Sequence, residues 1–240
     1  MDSGALSDGS IHSLTEQGPV QFGERTTWGP NRIAKSVRDN ETFVFVARKL
    51  KERGKMSLAI TFVLGGARSG KSSFAEHFAS KVSKSSVGEP RSVVYLATAK
   101  VLDDEMKERI AIHQADRPRD WTTIEEALDP QNILQKLSQR PVPPVILIDC
   151  LSLLLSNWMF AHCDVQAQIE SFLAASLEYP APLIVVSNEV GSGIVPADAL
   201  TRKYRDWLGW FNQSVARVAK SVLLVVAGVP VDLRKLEAKW

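Results

Sequence analysis

The segment Gly65-Gly66-Ala67-Arg68-Ser69-Gly70-Lys71-Ser72 lies between an apolar run, Ala59–Leu64, and a helical stretch from Gly70 to about Val82. It matches G-x-x-x-x-G-K-[ST], and its strand–turn–helix setting is the one this pattern requires. Each position has a physical reason. The glycines let the backbone approach phosphate closely and turn successive N–H groups toward it. Lys71 reaches the β- and γ-phosphates, and the Ser72 hydroxyl suits Mg²⁺. The helix that starts there aims its positive end at the anion. The expectation is a phosphate-binding P-loop that takes a nucleoside triphosphate.

Working outward, four more short apolar runs follow: Val93–Thr98, Val145–Asp149, Leu183–Ser187 and Val222–Ala227. Such runs read as strands covered on both faces. Helical segments separate them, at Asp103–Arg117, Pro130–Leu137, Val165–Leu177 and Ala197–Ala219. Alternating strand and helix predicts a mostly parallel sheet with right-handed crossovers, an α/β fold. Val145-Ile146-Leu147-Ile148-Asp149 ends in an acid where ligands of open α/β sheets bind. Two readings compete: an acid on a strand beside the P-loop holding Mg²⁺ through water, or a cap for a following helix. The independent P-loop favours the metal role.

The segment 103–118 opens acidic, ends basic and stops at Pro118. Arg109, His113 and Arg117 are four apart and share one face. Two cations around an imidazole suit a triphosphate, but spacing alone favours a solvated surface face. His12, His77 and His162 read as a tail residue, a surface-helix residue and a loop residue.

Composition narrows the function classes. Of 240 residues, 45% are hydrophobic and 23% charged, an ordinary globular balance. Lys+Arg number 29 and Asp+Glu 27, a net charge of +2, which argues against a nucleic-acid binder held by bulk charge. Cys150 follows an apolar run and reads as a buried thiol. With Cys163 it makes no disulfide framework, so a reducing cytoplasm is expected. No apolar run approaches the length of a membrane span, and the N-terminus lacks an apolar leader segment. Residues 1–57 are expected to be a disordered N-terminal extension, and 58–240 the working domain, which starts near Met56.

Five blocks in order resemble the bifunctional adenosylcobinamide kinase / adenosylcobinamide-phosphate guanylyltransferases of cobalamin biosynthesis. They are Phe62 through Ser72; Tyr95-Leu96-Ala97-Thr98 with Asp103-Asp104-Glu105-Met106; Arg109-Ile110 through His113 to Arg117-Pro118; Ile148-Asp149-Cys150-Leu151-Ser152-Leu153 with Ser156-Asn157; and Ser187-Asn188-Glu189-Val190-Gly191-Ser192-Gly193-Ile194-Val195-Pro196, followed by Tyr204-Arg205-Asp206 and Asn212-Gln213. The likeness runs from about Leu58 to Leu233.

The resemblance implies a RecA-like P-loop fold, a homotrimer, GTP and ATP as substrates with Mg²⁺, and adenosylcobinamide as acceptor. It implies His113 as the residue that carries a covalent GMP. It also implies nucleotide contacts at Gly65, Gly66, Ala67, Arg68, Ser69, Gly70, Lys71 and Ser72. Further contacts are implied at Ala97, Thr98, Ala99, Gln114, Ala115, Asp116, Arg117, Glu125 and Asp149, with Ser72 and Asp149 toward the metal. A neutral imidazole of ordinary pKa, near ~6.5, is a competent nucleophile at neutral pH. Trp210-Phe211 departs from the smaller or basic residues the family carries, and is expected to pack a subunit contact or reshape the substrate edge. Two rival readings are a P-loop small-molecule kinase without a covalent step and a RecA-like ATP-binding module that is not an enzyme.

Overall fold

The computed structural model describes residues 60–85, 90–100 and 118–238. The expected extension 1–57 lies outside them. So does the expected helix 103–117, with Arg109, His113, Gln114, Ala115, Asp116 and Arg117.

Among the described residues twelve elements run in order: β1 (Ile60–Gly65), α1 (Lys71–Ser85), β2 (Val93–Ala97), β3 (Thr122–Glu125), α2 (Pro130–Ser138), β4 (Val145–Asp149), α3 (Leu151–Phe160), α4 (Val165–Glu178), β5 (Leu183–Asn188), α5 (Ala199–Val218), β6 (Ser221–Val226) and β7 (Val229–Asp232). They form one seven-stranded sheet of order β3-β2-β4-β5-β1-β6-β7. Every pairing is parallel except the β6–β7 hairpin.

The inner strands read as continuous apolar runs because both faces are covered. Side chains alternate between two cores. Phe62, Leu96, Ile146, Ile148 and Val185 join one cluster with Leu154, Trp158, Phe172 and Phe211 from the helices. Val63, Tyr95, Leu147, Ile184 and Val186 join the other, against Ala75 and Ala79 of α1. Small residues on the buried stripe of α1, Ala75, Ala79 and Ser83, let this helix lie close on the sheet. Asp129, Asp164 and Asp198 each cap a helix, accepting from the backbone N–H three residues on. The cap at Asp198 starts α5 two residues later than its apolar pattern suggested.

Four features depart from the sequence reading. Helix α3 was missed, because Leu151–Phe160 is buried almost all round and shows little amphipathic period. Strand β3 was missed because Thr122-Thr123-Ile124-Glu125 is an exposed edge strand without an apolar run. The hairpin strand β7 was missed for the same reason, and it makes one edge antiparallel. The fourth correction is Phe211: it is not at a surface. Its ring is fully buried, 5.7 Å from Trp158 and edge-on to Phe172 at 5.5 Å. Trp210 is half-buried and meets Trp207 edge-on at 5.2 Å.

Candidate nucleotide site

The loop from Gly65 to Ser72 joins β1 to α1 at the C-terminal edge of the sheet. Arg68 and Gly70 have positive φ, 55° and 89°, so the loop turns sharply before the helix. Gly65 has no room for a side chain: a Cβ there would lie 2.3 Å from Ser69 Oγ and 2.8 Å from the Val225 carbonyl oxygen. The Phe74 N–H donates to the Gly70 carbonyl at 3.0 Å, the first turn of α1. Lys71 Nζ donates to the Gly66 carbonyl at 3.3 Å, folding the ammonium over the loop.

A strut that the sequence reading overlooked braces this loop. The Gly228 N–H, at the β6–β7 turn, donates to the Ser69 carbonyl at 2.8 Å. Gly228 has φ +79°, and a Cβ on Gly70 would approach its Cα to 3.2 Å. The signal in the sequence was a Gly after an apolar run with Pro230 just beyond, a turn marker.

Strand order places the acid differently from expectation. Asp149 ends β4, but β4 does not neighbour β1; β5 lies between them. Chain order cannot show this, because the strand that fills the gap comes later in the sequence. The neighbour's own end is therefore part of the site. Asn188 lies in register with Gly65, and the Glu189 N–H donates to the Gly65 carbonyl at 3.1 Å. Glu189 Oε1 accepts from the Gly191 N–H at 2.6 Å; a Cβ on Gly191 would crowd that oxygen at 2.8 Å.

Across β5, three expected residues form a row. Glu125 and Asp149 both stand in register with Ala97, one on each side, at the ends of β3, β4 and β2. Asp149 is not a helix cap. The cap of α3 is Cys150, which makes no side-chain cap bond, and Asp149 Oδ2 accepts from the Tyr95 hydroxyl at 2.9 Å.

Thr98 is fully buried, and its polar groups are engaged. Its hydroxyl donates to the Cys150 carbonyl at 2.7 Å and accepts from the Cys150 N–H at 2.8 Å. Its own N–H donates to the Asp149 carbonyl, and its carbonyl accepts from Asn157 Nδ2. In this arrangement Thr98 splices β2 to the β4–α3 turn. Ala99 follows it, half-buried.

Behind the row runs a buried polar chain. Cys150 Sγ and Ser152 Oγ share a hydrogen bond at 2.9 Å, and Asn188 Nδ2 donates to Ser152 Oγ at 2.7 Å. Asn212 Nδ2 donates to the Asn188 carbonyl at 3.0 Å. Burial, reinforced by the Asp149 charge, pushes the Cys150 thiol up to about 11 against the weaker pull of Ser152 and Lys71. The expected buried thiol is thus a neutral one. His77 and His162 are exposed, the first on α1 and the second after α3.

The residues present fit Mg²⁺ with a nucleotide. Ser69 Oγ and Asn188 Oδ1 are buried without a hydrogen-bond partner, one within the loop and one on the adjoining strand end. Buried polar atoms without partners mark a place where an added polar group belongs. The Ser72 hydroxyl and the Asp149 carboxylate are hard oxygen donors. Mg²⁺ in nucleotide sites is held by one or two such donors with phosphate and water rather than by a protein cage.

A mostly parallel sheet with a P-loop at the end of an inner strand, and an acid two strands away on the same edge, defines a P-loop nucleotide-binding α/β protein. Residues 61–233 match the sequence model of the cobinamide kinase / cobinamide phosphate guanyltransferase family, and the chain belongs to that family. Three relatives agree. The bifunctional adenosylcobalamin biosynthesis protein CobP of Pseudomonas aeruginosa is 40% identical over 176 residues, 72% of this chain and 95% of its own length. The proteins named CobU of Escherichia coli and Salmonella typhimurium are 36% and 35% identical over 189 residues, 72% of this chain and 98% of their own length. The chain is accordingly a nucleotide-using transferase, and the reading of it as a non-enzymatic module falls away. Among the described residues no helix is long and apolar enough to cross a membrane.

Proposed function

We propose that one nucleotide site at this sheet edge runs two consecutive reactions on adenosylcobinamide, in the cytoplasm and as a homotrimer. The observation that carries the reading is that the P-loop and the row Glu125–Ala97–Asp149 open on the same edge of one sheet.

In the kinase step the loop N–H groups and Lys71 hold the β- and γ-phosphates of ATP or GTP. The terminal hydroxyl of the acceptor attacks the γ-phosphorus, and the bond to the β-bridging oxygen breaks. Catalysis is positioning and charge stabilisation. Ser72 directly, and Asp149 through water, would hold Mg²⁺, which supplies charge neutralisation on the phosphates. To Glu189, whose backbone N–H donates to the Gly65 carbonyl, we assign acceptance of the hydroxyl proton.

In the transferase step neutral His113 attacks the α-phosphorus of GTP, and pyrophosphate leaves. A phosphate oxygen of adenosylcobinamide phosphate then displaces the imidazole, and the P–N bond breaks to release adenosylcobinamide-GDP. Covalent catalysis divides one displacement into two. Arg109 and Arg117, four residues before and after His113 in the sequence, would keep the imidazole neutral by charge repulsion. Gln114, Ala115, Asp116, Ala97, Ala99 and Glu125 complete the nucleotide contacts, and Thr98 contributes by holding the turn beneath them.

The test is incubation with α-labelled GTP and, separately, with adenosylcobinamide and γ-labelled ATP. His113→Ala should form no labelled protein and should accumulate adenosylcobinamide phosphate. The wild-type adduct should be acid-labile and base-stable, as a phosphoramidate is. Lys71→Ala should lose both reactions, because the ammonium that holds the β- and γ-phosphates of the nucleotide is gone. Wild-type labelling of His113→Ala would replace this reading with a kinase lacking the covalent step.

A further inference from the structure

Tyr95 lies on the α1 face of the sheet, 3% exposed, packed in the cluster with Leu147, Ala75 and Ala79. In the register of β2 against β4 it stands opposite Leu147, and Ala97 stands opposite Asp149. Residues two apart on a strand share a face, so Leu147 and Asp149 point to the side that α1 covers. A tyrosine ring is long enough to span those two residues, and its hydroxyl meets Asp149 Oδ2 at 2.9 Å. The same face of α1 begins one turn before Ala75, at Lys71 and Ser72.

From this geometry we infer that Tyr95 is a positioning residue for the metal–nucleotide complex. Its phenol ties one oxygen of Asp149 and so presents the other toward the loop and Ser72. The inference rests on the proposed metal role of Asp149. An untethered aspartate at a strand end samples several rotamers, and each sampled rotamer dilutes the one that faces the ligand. Groups that orient a metal-side carboxylate affect affinity nearly as strongly as the ligands themselves. A buried phenol against a carboxylate also suits this role because its hydrogen bond to a charged acceptor is short and directional.

The experiment uses the full chain with Mn²⁺ as the probe and a non-hydrolysable GTP analogue. Free Mn²⁺ is read by electron paramagnetic resonance, and analogue binding without metal is read by calorimetry in chelator. Tyr95→Phe keeps the ring that fills the core face. It should weaken Mn²⁺ binding to the analogue complex by about tenfold while leaving metal-free analogue affinity at its wild-type value. Asp149→Asn should weaken Mn²⁺ binding at least as much. Wild-type Mn²⁺ affinity in Tyr95→Phe, with Asp149→Asn impaired, would overturn the role of Tyr95 and leave the metal reading intact. Equal losses of metal-bound and metal-free affinity in Tyr95→Phe would reduce Tyr95 to packing. Wild-type Mn²⁺ affinity in Asp149→Asn would overturn the metal reading and this inference with it.

Discussion

Cys150 shows how one residue's environment sets a measurable property of the fold. Its thiol is raised from 9.0 to about 11, first by burial and then by the neighbouring Asp149 charge. Between those values the unfolded chain has lost the thiol proton and the folded chain keeps it, so unfolding becomes easier as pH rises. The contribution is intact below about pH 9 and is lost as pH climbs toward 11. Urea midpoints measured across that window should fall, by the equivalent of on the order of 2 kcal/mol for this group. Cys150→Ala should flatten the part between pH 9 and 10, before Tyr204, raised by burial to about 12, begins to add its own slope. A profile equally steep in Cys150→Ala would assign the alkaline loss to other groups. At this same scale, Thr98 illustrates what a motif cannot say. The family resemblance implies it as a nucleotide contact, and in the structure its hydroxyl is engaged by the Cys150 backbone.

At the scale of elements, α3 and α5 settle the meaning of the aromatic pair at 210–211. Periodicity alone leaves either residue free to face out. Packing decides: Phe211 fills the space between Trp158 of α3 and Phe172 of α4, while Trp210 lies beside Trp207 on the flank. Phe211→Ala should therefore cost about 3–5 kcal/mol in denaturant unfolding, the range for truncating a buried ring. Trp210→Ala, losing a half-buried ring, should cost clearly less. A Phe211→Ala chain with wild-type stability but altered subunit assembly would return this residue to an interface. Helices α2, α4 and α5 were legible in the sequence as helical stretches between the apolar strands, while their aspartate caps, Asp129, Asp164 and Asp198, emerge only from the structure. Helix α3 was not, because a helix buried all round carries no period to read.

For the whole molecule, the polar composition of residues 1–41 and the sheet that begins at Ile60 motivate a truncation. A chain starting at Met56 should fold and turn over like the full one, because truncation is best tolerated at chain termini of polar composition. Equal thermal midpoints and equal rates in both reactions are the expected result; loss of solubility or of either activity would show that the extension has a role.

The sequence by itself determined the fold class, the P-loop and its lysine, the acid at the end of an apolar strand and the family likeness. These are local: they depend on residue order over a few turns, on glycine's freedom and on side-chain alternation. Tertiary structure alone decided that β5 separates Asp149 from the P-loop, that Asn188 and Glu189 therefore border Gly65, that the β6–β7 turn braces Ser69, and that Tyr95 holds Asp149. Those facts depend on which distant strands pair. Strand order is set by how both sheet faces bury their apolar side chains, a global balance that no single segment encodes.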